Sequence, residues 1–87
     1  MTIKRSKKET DVTQIGELYD TLNNLDGAIY VESEGANCLR VDFNNECSVW
    51  FEECKSGRSI RGTAGTKYNK QIRKVAKDYG YDTEYLE

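Results

Sequence analysis

Apolar residues recur along this chain at two periods. Between positions 12 and 25, Val12, Ile15, Leu18, Tyr19, Leu22 and Leu25 fall at steps of three and four, which predicts a helix from Val12 to Leu25 with one apolar face. Asp11 stands at its start as a cap, with Gln14 three residues on as the reciprocal partner, and Asp26-Gly27 ends it. The period then changes to two. Segments 28–33, 38–43 and 47–53 are separated by Gly35-Ala36-Asn37 and Asn44-Asn45-Glu46, which predicts three strands joined as two hairpins. Three-residue loops set Glu34 opposite Cys38 and Phe43 opposite Cys47. That register puts Ile29, Val31, Leu39, Val41, Phe43, Cys47, Val49 and Phe51 on one sheet face. Tyr30, Glu32, Glu34, Cys38, Arg40, Asp42, Ser48, Trp50 and Glu52 fall on the other.

Lys55 to Thr66 reads as a loop containing Gly57, Gly62 and Gly65. A second helix is predicted from Lys67 to Tyr79, with Tyr68, Ile72, Val75, Ala76 and Tyr79 as its apolar stripe and Gly80 as its stop. Residues 81–87 read as a short acidic tail, with Tyr85 and Leu86 tucking back. The expected fold is α+β in the order α-β-β-β-α, a three-stranded antiparallel sheet with both helices packed on its apolar face. The opposite sheet face has no predicted cover. Residues 1–9 read as a mobile basic arm and residues 10–87 as a single α+β domain.

Charge changes this picture. The chain has 87 residues and a net charge of only −2, but the charges are segregated. Residues 9–54 hold eleven acids against one base, Arg40, whereas residues 55–77 hold eight bases and no acid. Four more bases stand in residues 1–8 and four more acids in residues 78–87. The basic block sets Arg58 and Arg61 in the glycine-containing loop and Lys67, Lys70, Arg73 and Lys74 on the second helix. Lys67 and Lys70 are expected in the first turn, where the helix dipole disfavours a cation and a bound anion relieves it. These six residues are the candidate nucleic-acid-binding set, with Arg61, Lys67 and Lys70 expected to converge on phosphate. The competing reading is that the block neutralises acids elsewhere on the molecule.

The open sheet face supplies a second candidate surface. Trp50, the single tryptophan, is expected to be exposed there opposite Arg40, with Tyr30, Glu32, Glu34, Asp42 and Glu52 around it. An aromatic centre with a charged rim has the character of a protein-binding hot spot. The competing reading has Trp50 covering its own hairpin through a cation–π contact with Arg40.

Several functions are disfavoured. There is no histidine, so Ser-His-Asp and Cys-His arrangements are impossible, and Glu52 and Glu53 are strand neighbours that face opposite ways. No enzyme and no catalytic residue is expected. Cys38, Cys47 and Cys54 are spaced nine and seven apart with no Cys-x-x-Cys pair, so no metal, no cofactor and no disulfide is expected. No stretch is apolar enough for a signal peptide or a membrane span, and the expected location is cytoplasmic with reduced thiols.

The element order, with both helices on one sheet face, resembles the double-stranded-RNA-binding-domain fold over residues 11–80. Gly65-Thr66-Lys67-Tyr68-Asn69-Lys70 is similar to that family's lysine-bearing start of the second helix after a glycine-containing loop, and the resemblance implies phosphate contacts there. Ile72-Arg73-Lys74-Val75-Ala76-Lys77-Asp78-Tyr79-Gly80 also resembles the last helix of the HicA-type toxins, whose activity depends on a histidine that this chain lacks. The expected function is a non-enzymatic inhibitor or regulator of a nucleic-acid-handling machine, of the kind found among phage counter-defence proteins. It would hold nucleic acid or a nucleoprotein on its basic ridge and a protein on its sheet face, with no membrane partner. The alternative is a protein-only inhibitor whose acidic surface imitates nucleic acid.

Overall fold

A computed structural model describes residues 16–35 and 37–87. The first helix, α1, is helical over residues 16–23. It buries Leu18 and Leu22, one turn apart, and leaves Tyr19 on its exposed side. Asp11, Val12, Gln14 and Ile15, expected to open this helix, and the expected basic arm at 1–9 lie outside the described residues.

Four strands follow as an antiparallel meander: β1 (Ala28–Ser33), β2 (Cys38–Phe43), β3 (Ser48–Cys54) and β4 (Gly57–Gly62). The chain then crosses as α2 (Gly65–Asp78) and returns as β5 (Asp82–Leu86), parallel to β4. The sheet order is β1-β2-β3-β4-β5. The fold is therefore α+β with two helices, but the sheet is five-stranded and mixed rather than three-stranded and antiparallel. Both additions lie where a loop and a tail were expected. The first helix, β1 to β3 and α2 follow one another in the expected order, with β4 inserted before α2 and β5 added after it.

The hairpin loops set the expected register. The Glu34 amide donates to the Cys38 carbonyl at 2.9 Å and the Phe43 amide to the Cys47 carbonyl at 2.8 Å. Val31, Val41 and Val49 pair across three strands, and Leu39, Phe51 and Ile60 form the next row. Two expectations for the core face fail. A bulge at the start of β1 sets Ala28 opposite Phe43 and leaves Ile29 as an extra residue, 66% exposed. Cys47 is only half-buried.

One buried cluster joins Leu18 and Leu22 of α1, the inward rows of the sheet with Leu86, and Tyr68, Ile72, Val75 and Ala76 of α2. Both helices thus cover the same sheet face. Tyr68 stacks on Phe43 with ring centres 5.1 Å apart and donates to Asn44 at 2.8 Å, so the phenol reaches its partner from inside the core. Tyr81 meets Phe51 edge-on at 5.2 Å. It also receives the end of α2: the Tyr81 amide donates to the Ala76 carbonyl and the Gly80 amide to the Lys77 carbonyl, which closes the helix in a Schellman motif. Among the described residues no helix is long and apolar enough to cross a membrane.

Candidate functional site

The buried stripe of α2 fixes what its other side presents. Tyr68, Ile72 and Val75 face the core, so Lys67, Lys70, Lys74 and Lys77, at steps of three and four, form an exposed row with Arg73 beside it. The row runs about 15 Å along the helix at 1.5 Å per residue. Lys74 reaches Asp78 at 3.1 Å, an exposed pair of small energetic weight. Lys67 lies 5.5 Å from the Tyr68 ring, and Arg73 donates to Asn69 at 2.6 Å. Among the described residues Lys67, Lys70 and Lys77 have no carboxylate partner. The first turn of α2 has no acidic residue and Ala64 gives no side-chain cap. A shallow groove flanks each side of this turn. One is lined by Thr63, Thr66, Asn69, Lys70, Arg73 and Glu87, the other by Asp26, Lys67, Tyr68, Lys70, Gln71 and Lys74.

The two loop arginines do not join that row. β4 carries them away, because Arg58 and Arg61 are strand residues on opposite faces. Arg58 pairs with Glu53 at 3.3 Å, donates to the Tyr79 carbonyl at 2.9 Å and lies 5.5 Å from the Tyr81 ring. Arg61 projects onto the open sheet face. Its guanidinium holds Glu52 at 3.0 Å and stacks 4.6 Å from the centre of the Trp50 ring. The expected convergence of Arg61 with Lys67 and Lys70 is thus replaced by a convergence of Arg61 with Trp50 and Glu52.

On the open face a single row crosses the whole sheet: Glu32, Arg40, Trp50, Arg61 and Tyr85 are successive cross-strand neighbours. Arg40 is the hub. It holds Glu32 at 2.9 Å, Asp42 at 3.0 Å and Glu34, and lies 6.0 Å from the Tyr30 ring. Asp42 also accepts from Ser48 at 2.7 Å, and Glu34 accepts from the Trp50 indole at 3.1 Å. Trp50 was expected to stand exposed opposite Arg40. It is opposite Arg40 in register but half-buried, and its cover is Arg61 from a strand the sequence pattern did not indicate. Glu34, placed on this face by the alternation along β1, links Arg40 to Trp50. Sequence reasoning left one residue out of this surface: Tyr85, 62% exposed at the end of the row, which joins only through the parallel pairing of β5.

The cysteines remain apart in chemistry. Cys54 is exposed at the β3–β4 turn beside Ser56, and Cys38 lies on the open face near Glu52. Among the described residues no three His, Cys, Asp or Glu side chains gather where a metal ion would be held. Comparison with protein-family models, with curated proteins and with solved structures returns no match to this chain.

Proposed function

We propose that this protein binds the phosphate backbone of nucleic acid through the exposed side of α2, with Lys67, Lys70, Arg73 and Lys74 as the contact set and Lys77 extending it. It acts by occupancy rather than catalysis, as a regulator or inhibitor of a machine that handles nucleic acid. The observation that carries the reading is how the two kinds of base are used. The three sheet arginines are engaged by the protein's own carboxylates, while most of the α2 lysines face solvent without one. A row about 15 Å long is long enough to meet several phosphates of a nucleic-acid backbone. Contacts of this kind are indifferent to sequence. The same pairing weakens the nucleic-acid-mimic alternative, because Glu32, Glu34, Asp42, Glu52 and Glu53 are drawn to Arg40, Arg58 and Arg61 rather than offered to a basic groove. The Trp50 face, rigid and rimmed by charge, then serves a protein partner, and the reading implies a cytoplasmic setting with free thiols.

Filter retention of labelled duplex DNA and RNA over a salt series tests this. The wild-type protein should retain both at low salt and lose them as salt rises. The quadruple variant Lys67→Ala, Lys70→Ala, Arg73→Ala, Lys74→Ala should bind more weakly to all sequences. Its log–log salt slope should be flatter by about three to four units if each base neutralises one phosphate. Its thermal midpoint should hold level or rise slightly, because Lys67 leaves the first turn of α2, at the positive end of the helix dipole. Absence of retention by the wild type at low salt would overturn the reading.

A further inference from the structure

β1 is an edge strand, and the parity of its ladder tells which backbone groups it leaves over. Glu34 and Cys38 form a hydrogen-bonded pair at 2.9 Å. Bonded and non-bonded pairs alternate along an antiparallel ladder. Glu32–Arg40 and Tyr30–Asp42 are therefore bonded, and Val31 and Ser33, opposite Val41 and Leu39, turn their N–H and C=O groups outward. Among the described residues no strand lies on that side. Edge strands are usually guarded by unpaired charge or by a bulge. Here Arg40 draws Glu32 and Glu34 in over the sheet face and offsets part of their charge, and the bulge lies at the strand's first residues, which leaves Tyr30 to Ser33 regular. Ile29 and Tyr30 stand 66% and 52% exposed beside this edge.

The pattern of the strand is complementary to itself. Two-fold axes at Val31, Glu32 or Ser33 would bring outward groups together, and the one at Ser33 would set Glu32 against Glu34, which is unfavourable. An axis at Glu32 would set that carboxylate against its own copy, which is unfavourable. An axis at Val31 sets Val31 against Val31, Tyr30 against Glu32 and Ile29 against Ser33, with no like charges opposed. We propose that β1 pairs antiparallel with β1 of a second copy of this chain about an axis at Val31, joining the two sheets into one. Such an axis is perpendicular to the sheet, so each layer of the dimer keeps its side. The interface is isologous and closes at two copies. This inference is independent of nucleic-acid binding and is tested without it.

Sedimentation equilibrium of the full chain should report a mass that doubles with rising concentration. In parallel, amide hydrogen exchange should show Val31 and Ser33 gaining protection over the same concentration range. Ser33→Pro removes an outward N–H and no bond of the β1–β2 ladder. Ile29→Lys puts an unpaired charge beside the edge. Each should leave the far-ultraviolet spectrum unchanged and weaken association by about tenfold or more. If Ser33→Pro fails to fold, Ile29→Lys carries the test alone. A wild type that is monomeric at every concentration overturns the proposal, as does a dimer that withstands the folded variants. Protection of Val31 and Ser33 in the monomer also overturns it, since the same chain would then occupy its own edge.

Discussion

Gly62 lies at the last position of β4 with φ of +103°, directly beside Trp50. A Cβ there would collide with the Ser48 carbonyl oxygen and press on the indole at 3.1 Å. Gly80 also has a positive φ, +78°, but nothing lies within 4 Å of where its Cβ would be. Gly80→Ala should therefore cost about 1–2 kcal/mol for the left-handed backbone alone. Gly62→Ala should cost that plus about 1–3 kcal/mol of overpacking. Thermal melts should rank Gly62→Ala well below Gly80→Ala, and only the former should shift the emission of the single tryptophan. Equal midpoints would mean that the indole does not lie over Gly62. The cysteines differ at the same scale. A hydrogen bond from Ser56, at 3.1 Å, holds the Cys54 thiol below its ordinary range. Burial, and then the charge of Glu52, holds Cys38 above it. The thiolate is the reactive form, so as pH rises iodoacetamide should alkylate Cys54 first, read by peptide mass spectrometry. Modification of Cys38 at the lower pH would contradict the Ser56 contact.

At the scale of elements, α2 starts without a side-chain cap at Ala64, but the Thr63 hydroxyl accepts from the Gly65 amide at 3.1 Å. Thr63→Val keeps the shape and removes that acceptor. It should lower the urea midpoint by the equivalent of about 1 kcal/mol, and an unchanged midpoint would show that the first turn is held by packing alone. The elements with strong periodicity were legible in the sequence. β1 to β3 lie within one residue of their expected bounds, because their loop lengths and alternation agree on one register. α2 begins two residues earlier than Lys67, its start set by Thr63 rather than by a capping residue in the usual place. β4 and β5 were illegible for a physical reason. Gly57-Arg58-Ser59-Ile60-Arg61-Gly62 offers one apolar residue between two glycines, and its strand conformation comes from pairing with β3. In β5 Leu86 alone is buried, and its parallel partner lies beyond a helix. Those two strands decide where Arg61 and Tyr85 stand, so the sheet-face site was only partly legible. The α2 row was more so, since helical periodicity alone sets it.

Across the whole molecule, charge is divided by chemistry as well as by place. The arginines Arg40, Arg58 and Arg61 tie the sheet and its edge together, and the α2 row is lysine except for Arg73. A guanidinium stays protonated and grips a carboxylate with a planar fork, which suits a permanent internal contact. A lysine amine is a point charge on a flexible stem and is the group that acylation neutralises. The two surfaces therefore differ in how easily their charge is erased. Acylation of amines would strip the ridge down to Arg73 while leaving every arginine pair of the sheet in place, so the outer charge of this protein can be switched off without loosening its frame.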